Sequence, residues 1–328
     1  MVARVRKAVI TAAGRGTRQY PASTTVQKEM FPLVDRDGIT KPTIQIIAEE
    51  ALDSGIEQLC IITAPGDADS YRRHFQGLTT ELLPAFAGKE WALEASRRLG
   101  RLQEAITYAT QESPEGFGHA VYQARDFVGD EPFLLLLGDH VYVSEHPHNL
   151  RCARQCIDVF AQYGVTTSAV KRTDEDLLHL FGTVGGARVA ADPAVYEVGS
   201  LVEKPTPEYA EAHLRVEGLR RGQYLCFFGM HVFTPAIFDC LEYNIAHDLR
   251  QKGEIQLTSA QDLLRQRERY MAVEALGERY DMGVPFGLVE TQLALTLHSP
   301  AREEMLASLI RILAGQGRHG PRAHLATS

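Results

Sequence analysis

Short apolar runs alternate with helical patterns through the first two-thirds of the chain. Four such runs predict buried strands, at residues 5–13, 58–63, 106–110 and 132–138. The segments between them predict helices, at residues 42–54, 68–75, 92–103 and 118–127. Alternation of this kind is typical of an α/β protein whose mainly parallel sheet is covered by helices on both faces.

The pattern contains more strands after residue 144. It predicts one long helix at 144–163, followed by strands at 165–171, 183–189, 197–203 and 225–233. Further helices are predicted at 235–244 and 255–267. Ser299-Pro300 predicts the start of a last helix, because Ser caps helices and Pro suits their first turn. We expect one domain over residues 1–298, this helix at 299–314, and a disordered tail at 315–328.

The composition is that of a globular protein, with 45% hydrophobic and 23% charged residues among 328. A formal net charge of −8 argues against nucleic acid or an anionic membrane as a partner. The longest apolar run, residues 133–137, is far shorter than the span of about 20 residues that a membrane helix needs. No signal-peptide pattern is apparent. We therefore expect a cytoplasmic protein. Because the net charge is negative, we expect any phosphate site to be a local cluster of Arg and Lys.

The first predicted strand ends in a glycine turn, Gly14-Arg15-Gly16-Thr17-Arg18. Glycine lets the backbone approach a ligand closely and present its N–H groups, and the Arg18 guanidinium suits a phosphate. Lys28 brings a second cation ten residues later. Gln19 occupies the position of the third glycine in a dinucleotide fingerprint, and the P-loop pattern is absent. Taken alone, the turn fits a ligand-free connection as well as it fits a polyphosphate site.

Two acidic residues stand near predicted strand ends. Asp139 follows a buried apolar strand, and Asp281 precedes Gly283. Open α/β sheets bind ligands at the carboxyl ends of their strands, and carboxylates suit Mg²⁺ that is shared with phosphates. Each acid taken alone is also compatible with a role in a turn or a helix cap.

Glu203 and Lys204 are an acid and a base at the end of a predicted strand, and Pro205 prevents the strand from continuing. If the strand runs through both residues, their side chains point to opposite sides. One side chain would then bind sugar hydroxyls and the other a phosphate. A solvated surface ion pair is the alternative interpretation.

Taken together, these motifs resemble those of the sugar-nucleotide pyrophosphorylases, specifically the bacterial UTP–glucose-1-phosphate uridylyltransferases. The resemblance covers roughly residues 5–300, with eight motifs in family order. The motifs are residues 13–18, 28–33, Gln111 with 116–120, 138–139, 181–184, 202–205, 254–258 and 281–283. Each motif alone is weak, whereas eight in order are specific.

The resemblance implies a three-layer, Rossmann-like nucleotidyltransferase fold with a mainly parallel mixed sheet, a helical insertion at about 74–104, and a smaller β-rich part that binds the sugar. It implies transfer of a uridylyl group from UTP to glucose 1-phosphate, with Mg²⁺ as cofactor. The sugar phosphate attacks the α-phosphorus in line. No protein nucleophile is required, because a phosphate monoester with a second pKa of about 6 is largely ionised already.

The resemblance also implies roles for individual residues. The nucleotide-binding residues would be Ala13, Gly14, Gly16, Thr17, Gln111 and Gly116. The catalytic residues would be Arg18, Lys28, Asp139 and Lys204. The sugar phosphate would be bound by Gly182, Glu203 and Lys204, and the Mg²⁺ ion by Asp139 and Asp281.

Four positions depart from the usual uridylyltransferase pattern: Arg15, His140 after Gly138-Asp139, Phe181 and Glu115. Because Gly-Asp, as at positions 138 and 139, also occurs in thymidylyl- and adenylyltransferases, a preference for thymine or adenine instead of uracil stays open. The helical segment before residue 104 and the Lys28 motif favour the uridylyl branch. A non-catalytic binder of nucleotides or sugar phosphates is a further alternative. The apolar stripe of the last helix is compatible with a homo-oligomer and equally with packing on its own domain.

Overall fold

The structure, a computed structural model, describes residues 2–316 and contains a nine-stranded mixed sheet and two sheets of two strands. The strands in these residues are β1 (Lys7–Ala12), β2 (Pro32–Val34), β3 (Thr40–Pro42), β4 (Gln58–Thr63), β5 (Ile106–Thr110), β6 (Phe133–Leu137), β7 (His140–Ser144), β8 (Thr167–Asp174), β9 (Gly182–Val189), β10 (Asp192–Glu203), β11 (Gln223–Phe233), β12 (Met271–Glu274) and β13 (Gly277–Asp281). The α-helices are α1 (Thr43–Asp53), α2 (Ala68–Phe75), α3 (Glu90–Ala105), α4 (Phe117–Tyr122), α5 (Arg125–Val128), α6 (Cys152–Tyr163), α7 (Pro207–His213), α8 (Ala236–Ala246), α9 (Leu257–Arg267), α10 (Gly287–Leu297) and α11 (Arg302–Gln316).

The strand order in the large sheet is β5-β4-β1-β6-β11-β8-β12-β10-β9. The first four strands in this order are parallel, and their register places Thr11 of β1 opposite Leu137 of β6. β11 runs antiparallel to β6 and β8, and β10 runs antiparallel to β12 and β9. β12 is parallel to β8. The sheet is mixed as predicted, and its continuous parallel part comes from the first half of the chain.

The two faces of the large sheet pack into two separate cores. Ala8 and Ile10 of β1 belong to one core, which α1 and α6 complete with Ile47 and Phe160. Val9 belongs to the other core, which contains residues of α4, α8 and α9. Successive side chains of a strand point to opposite faces, so one apolar run supplies both cores. The predicted three-layer α/β arrangement is therefore confirmed.

β6 ends in a close approach to β1. The Gly138 N–H donates to the Thr11 carbonyl oxygen at 2.9 Å. A Cβ atom at position 138 would overlap that oxygen, so only glycine fits there. This contact holds the next residue, Asp139, beside the glycine turn that follows β1.

The predicted helix at 144–163 is wrong in its first part. Residues His140–Ser144 form the strand β7, and the helix α6 begins at Cys152. Asn149 has a φ angle of 53°, which is incompatible with a continuous helix through this segment. The predicted helix at 118–127 is likewise divided, into α4 and α5.

β7 pairs in antiparallel fashion with β13, which lies far along the chain. Val141 and Val143 of β7 are buried, and β-branched residues suit a strand in such a pair. The register places His140 opposite Asp281. This pairing brings the second predicted acid to the carboxyl end of β6, next to Asp139.

α11 extends to Gln316 and leaves Ile310 and Leu313 about two-thirds exposed, at 65% and 66%. Residues 317–328 of the predicted tail lie outside the described residues. No helix within residues 2–316 combines the length and the apolar character that crossing a membrane would require.

Candidate active site

Two adjoining cavities lie at the carboxyl ends of β1 and β6. The first cavity, of about 300 Å³, is lined among others by Ala13, Gly14, Arg15, Lys28, Gln111 and Gly116. The second cavity, of about 370 Å³, is lined among others by Arg18, Gly182, Glu203, Lys204 and Asp281. Asp139 lines both cavities and so stands at their junction. Of the predicted site residues, Gly16 and Thr17 belong to the turn itself and line neither cavity.

Asp139 is held between Lys28 and His140. Lys28 Nζ lies 2.5 Å from Asp139 Oδ2, and the His140 Nδ1–H donates to Oδ1 at 2.8 Å. Burial alone would raise the pKa of the Asp139 carboxyl, but the hydrogen bond from His140 and the charge of Lys28 hold that pKa far below its usual range. Asp139 is therefore a permanent carboxylate at the junction of the cavities.

Asp281 and Arg18 reach the same junction around Gly283. A Cβ atom placed on Gly283 would lie 2.9 Å from Asp139 Oδ2, 2.9 Å from Asp281 Oδ1 and 3.1 Å from an Arg18 guanidinium nitrogen. The Gly283 N–H donates to Asp281 Oδ1 at 2.7 Å, and Arg18 lies 4.0 Å from Asp281 Oδ2. Three residues that are far apart in sequence therefore meet at one point of the fold.

The donor groups at this point fit a divalent cation. Asp139, His140 and Asp281 each offer one ligand atom, and these atoms lie within 4.8 Å of one another. Carboxylate oxygens are the ligands that Mg²⁺ prefers, and Mg²⁺ commonly takes one or two carboxylates together with substrate phosphates. Asp139 and Asp281 match this pattern.

A further carboxyl group, that of Glu29, is buried beside Lys28. Glu29 Oε1 lies 3.6 Å from Lys28 Nζ, and the Tyr71 hydroxyl lies 3.5 Å from Glu29 Oε2. Burial raises the pKa of Glu29 to about 8, although the Lys28 charge opposes the shift. Because Glu29 is mostly neutral at pH 7, the charge of Lys28 is directed to Asp139 and to anions in the first cavity.

Replacing Glu29→Gln is expected to change how stability depends on pH. Folded Glu29 keeps its proton up to about pH 8, whereas the unfolded chain releases it near pH 4.5. Between these values the folded state binds more protons, so Glu29 lowers the free energy of unfolding by up to about 1.4 kcal/mol for each unit of rising pH. Urea unfolding at pH 5 and pH 8 should show the variant gaining stability relative to the native protein as the pH rises.

The control for that measurement is Glu57→Gln, because Glu57 is half-exposed and pairs with Arg4 at the surface. It should change stability little, since exposed ion pairs contribute little. A Glu29→Gln variant whose stability difference from the native protein is the same at both pH values would contradict the protonated state of Glu29.

The first cavity is also lined by Gln111, which is only 6% exposed. Gln111 Nε2 donates to the Gly116 carbonyl oxygen at 3.1 Å and lies 3.1 Å from His119 Nδ1. Gly116 has a φ angle of +119°, and a Cβ there would lie 2.7 Å from the Ile255 carbonyl oxygen. Glycine is therefore required where this loop passes the start of α9. A Cβ atom placed on Gly14 would lie 3.4 Å from Lys28 Nζ, so the chain passes close to the ammonium group there.

Glu203 and Lys204 both line the second cavity. Their side chains are expected on opposite sides only if the strand runs through both residues, and it does not. β10 ends at Glu203, and Lys204 has a φ angle of +48°, so the chain turns between the two side chains. Lys204 Nζ lies 3.6 Å from Glu203 Oε1. Thr258 Oγ1 donates to Glu203 Oε2 at 2.7 Å and fixes the carboxylate in place. An acid and a base therefore stand side by side on one wall, next to Gly182.

The second cavity also contains a cation that no motif indicated. The Arg279 guanidinium lies 3.8 Å from the centre of the Phe181 ring and donates to the Phe227 carbonyl oxygen. Burial lowers the pKa of this guanidinium. Arg279 and Asp281 lie two residues apart on β13 and share one face, so strand alternation from Asp281 is the signal that could have found Arg279.

Comparison with known proteins is consistent with this site. A model of the nucleotidyl transferase family matches residues 7–296. UTP–glucose-1-phosphate uridylyltransferase 2 of Streptococcus pyogenes serotype M3 is 35% identical over 317 residues, which cover 94% of this chain and 96% of that protein. A solved UDP-glucose pyrophosphorylase complexed with UDP-glucose has a TM-score of 0.70 and 27% identity, covering 88% of this chain and 98% of that one. The UTP-bound enzyme of Acinetobacter baumannii has a TM-score of 0.74 and 25% identity, covering 93% and 98%.

The family model and the similarity to the Streptococcus pyogenes protein show the class: the chain belongs to the nucleotidyl transferase family. Within that family, its similarity extends over nearly the whole length of a UTP–glucose-1-phosphate uridylyltransferase, as the order of the motifs predicted.

Proposed function

We propose that the chain is an enzyme that transfers the uridylyl group of UTP to glucose 1-phosphate and releases pyrophosphate. The observation that carries this proposal is the position of Asp139 at the junction of two cavities, where it is paired with Lys28 of the first cavity. A reaction between two phosphorylated substrates needs a junction of this kind, because two anions must approach each other there. The similar proteins named for UTP, UDP-glucose and glucose 1-phosphate support UTP and glucose 1-phosphate as the substrates.

UTP is proposed to bind in the first cavity. The base would contact the backbone of Ala13 and Gly14 and the amide of Gln111, since an amide offers both a donor and an acceptor to the imide edge of uracil. Gly16 and Thr17 line neither cavity, so they would reach only a phosphate that extends from the cavity along the turn after Gly14. Gly116 would leave room beside the base. Arg18 and Lys28 would neutralise the triphosphate and then the departing pyrophosphate.

Glucose 1-phosphate is proposed to bind in the second cavity. Lys204 would hold its phosphate, while Glu203 would accept a hydrogen bond from a sugar hydroxyl beside Gly182. The attacking phosphate oxygen forms a bond to the α-phosphorus of UTP as the bond to pyrophosphate breaks. Because the attacking phosphate is already ionised, the reaction needs no general base, and the protein contributes position and positive charge.

Mg²⁺ is proposed as the metal ion, with Asp139 and Asp281 as its protein ligands. Their two carboxylates fit a hard cation shared with phosphate oxygens, as described above. When bound, the ion would supply charge that offsets the negative oxygens of the transferred phosphate.

A turnover screen tests the proposed function. Four nucleoside triphosphates are each combined with glucose 1-phosphate and its epimers, and pyrophosphate release is measured with and without Mg²⁺. We expect UTP with glucose 1-phosphate and Mg²⁺ to give the highest kcat/KM. Preference for dTTP or ATP would instead assign a thymidylyl- or adenylyltransferase. Tight binding without release of pyrophosphate in any combination would reveal a non-catalytic binder.

A further inference from the structure

One wall of the second cavity contains a histidine that the proposed reaction leaves without a role. Phe227, Gly229 and His231 lie on the same face of β11 and line the cavity in succession. His231 is only 4% exposed, and its ring stacks on Phe233 at 5.2 Å between ring centres. A buried polar side chain that reaches a cavity wall needs a hydrogen-bond partner, either in the protein or in a ligand.

One ring nitrogen of His231 has such partners in the protein. Ser168 Oγ lies 2.5 Å from His231 Nδ1, and Gln261 Nε2 lies 3.2 Å from the same nitrogen. Tyr270 connects these two partners, because its hydroxyl lies 2.6 Å from Ser168 Oγ and 2.8 Å from Gln261 Nε2. All four side chains are buried.

The chemistry of these four groups fixes where their protons are. The amide nitrogen of Gln261 can only donate, so the Tyr270 oxygen accepts from it. His231 Nδ1 has one lone pair, which faces the nearer Ser168 hydroxyl, and the Gln261 nitrogen at 3.2 Å is a weaker contact. Tyr270 then donates to Ser168, and Ser168 donates to His231 Nδ1. Burial lowers the pKa of His231 to about 3, so the ring is neutral near pH 7. A neutral ring that accepts at Nδ1 carries its proton on Nε2.

The Nε2–H of His231 makes no hydrogen bond to any other residue in the described part of the chain, 2–316. Its ring is enclosed on one face by Phe233 and along an edge by Phe227, at 5.1 Å between ring centres. His231 lines the second cavity, which is where a hydrogen-bond acceptor from a ligand could reach it. We propose that His231 is a specificity residue whose Nε2–H donates a hydrogen bond to one hydroxyl of the sugar in this cavity.

This assignment rests on the proposed function and deepens it. Glu203 is an acceptor held by Thr258, and His231 is a donor held by Ser168, Gln261 and Tyr270. A hydroxyl both donates and accepts, so a wall with one fixed donor and one fixed acceptor can distinguish the orientations of hydroxyls on a sugar ring. Gln261 itself also lines the cavity.

The test uses glucose 1-phosphate and its 2-, 3-, 4- and 6-deoxy analogues with the native enzyme and with His231→Phe. Phe keeps the aromatic packing and removes Nε2. At one position, the native enzyme should prefer the parent sugar over the deoxy analogue by about 3- to 10-fold in kcat/KM, as expected for a neutral hydrogen bond. His231→Phe should lose that preference at this position alone, with the KM for UTP changed less than about 2-fold.

Tyr270→Phe is the matched control, because Tyr270 belongs to the same network but does not line the cavity. It should keep the preference of the native enzyme at every position, because Ser168 and Gln261, the two residues that contact His231 Nδ1 directly, both remain. If His231→Phe does not fold, His231→Gln carries the test: its amide donates from a different point, so the preference at one position should change while the others stay.

The possible failures are distinguishable. A native enzyme that releases no pyrophosphate from UTP and glucose 1-phosphate would overturn the proposed function. If the native enzyme is active and every His231 variant shows the same preferences among the analogues as the native enzyme, only the role of His231 is overturned. Equal losses for all analogues in His231→Phe and Tyr270→Phe would show that the network serves folding only.

Discussion

Asp139→Asn is expected to lower kcat for UTP and glucose 1-phosphate by at least about 100-fold. Removal of one group that stabilises charge in the transition state typically lowers kcat by this amount. The substitution removes the permanent carboxylate that stands between the two cavities. Asn retains the size and a carbonyl acceptor, but it is a far weaker ligand for Mg²⁺ than a carboxylate is. Steady-state turnover across a range of Mg²⁺ concentrations measures the effect.

The fold should survive this substitution for a reason that lies next to Asp139. Lys28 loses its partner at 2.5 Å, but Glu29 Oε1 remains 3.6 Å from the same ammonium group. Glu29 can ionise more readily once the neighbouring carboxylate is gone, because the Asp139 charge contributes to its raised pKa. Circular dichroism and the thermal midpoint should therefore remain close to those of the native protein.

The matched control is Asp69→Asn, which removes an exposed carboxylate that pairs with Arg72 on the surface. It should leave both turnover and stability nearly unchanged. If Asp139→Asn retains near-native turnover at saturating Mg²⁺, Asp139 is not a ligand of the metal ion, and the proposed site at the junction is wrong.

The parallel half of the fold could be predicted from the sequence because its information is local. β4 and β5 have the predicted bounds, and β1 and β6 differ by one or two residues at their ends. The apolar runs of β1, β4 and β6 are mostly buried, so their pattern is continuous and easily recognised. β5 is the edge strand, and only Ile106 of it is buried. Since parallel strands end at the same edge of a sheet, the predicted strands also place the glycine turn and Asp139 at one edge, close to each other.

The pairing of β7 with β13 could not be predicted in the same way. The four buried residues that begin β7 lack strand alternation, and the residues that follow resemble the start of a helix. Its partner strand lies more than a hundred residues later, and nothing local indicates that partner. This long-range pairing brings Asp281 to Asp139, so the geometry of the proposed metal site depended on contacts that only the folded chain provides.

Two features of the second cavity could not be predicted from residue type. The left-handed φ angle of Lys204 turns its side chain to the same wall as Glu203, against the expectation from strand alternation. Asn, Asp and Gly adopt this conformation more readily than Lys, so the residue type gave no warning. In the sequence, His231 is one residue of an apolar strand, and nothing local indicates a polar role. The side chains of its network come from β8, α9 and the residue before β12.

The charges around the junction also show why a protein with a net charge of −8 can bind two phosphorylated substrates. Arg18, Lys204 and Arg279 line the second cavity, and Lys28 lines the first. Fields from distant surface charges are screened within about 10 Å at ordinary ionic strength, whereas partly buried cations are screened much less. The local cluster therefore determines which ligands bind, as the composition predicted it must.

Lys204→Ala is expected to raise the KM for glucose 1-phosphate by about 10- to 100-fold, the range that corresponds to loss of one hydrogen bond to a charged group. The affinity for UTP should change far less, because Lys204 lines only the second cavity whereas the nucleotide is assigned to the first. The side chain is 42% exposed, so part of its charge is screened by solvent, and the lower end of the range is the firmer expectation.

Lys252→Ala is the matched control for Lys204→Ala. Lys252 also has a left-handed φ angle, of 53°, and lies on the surface outside both cavities. The pair therefore separates loss of charge in the cavity from any effect of alanine on a strained backbone position. Binding of each substrate is titrated separately for both variants. Equal losses of UTP and glucose 1-phosphate in Lys204→Ala would reject a role confined to the sugar phosphate, and equal behaviour of the two variants would assign the effect to the backbone.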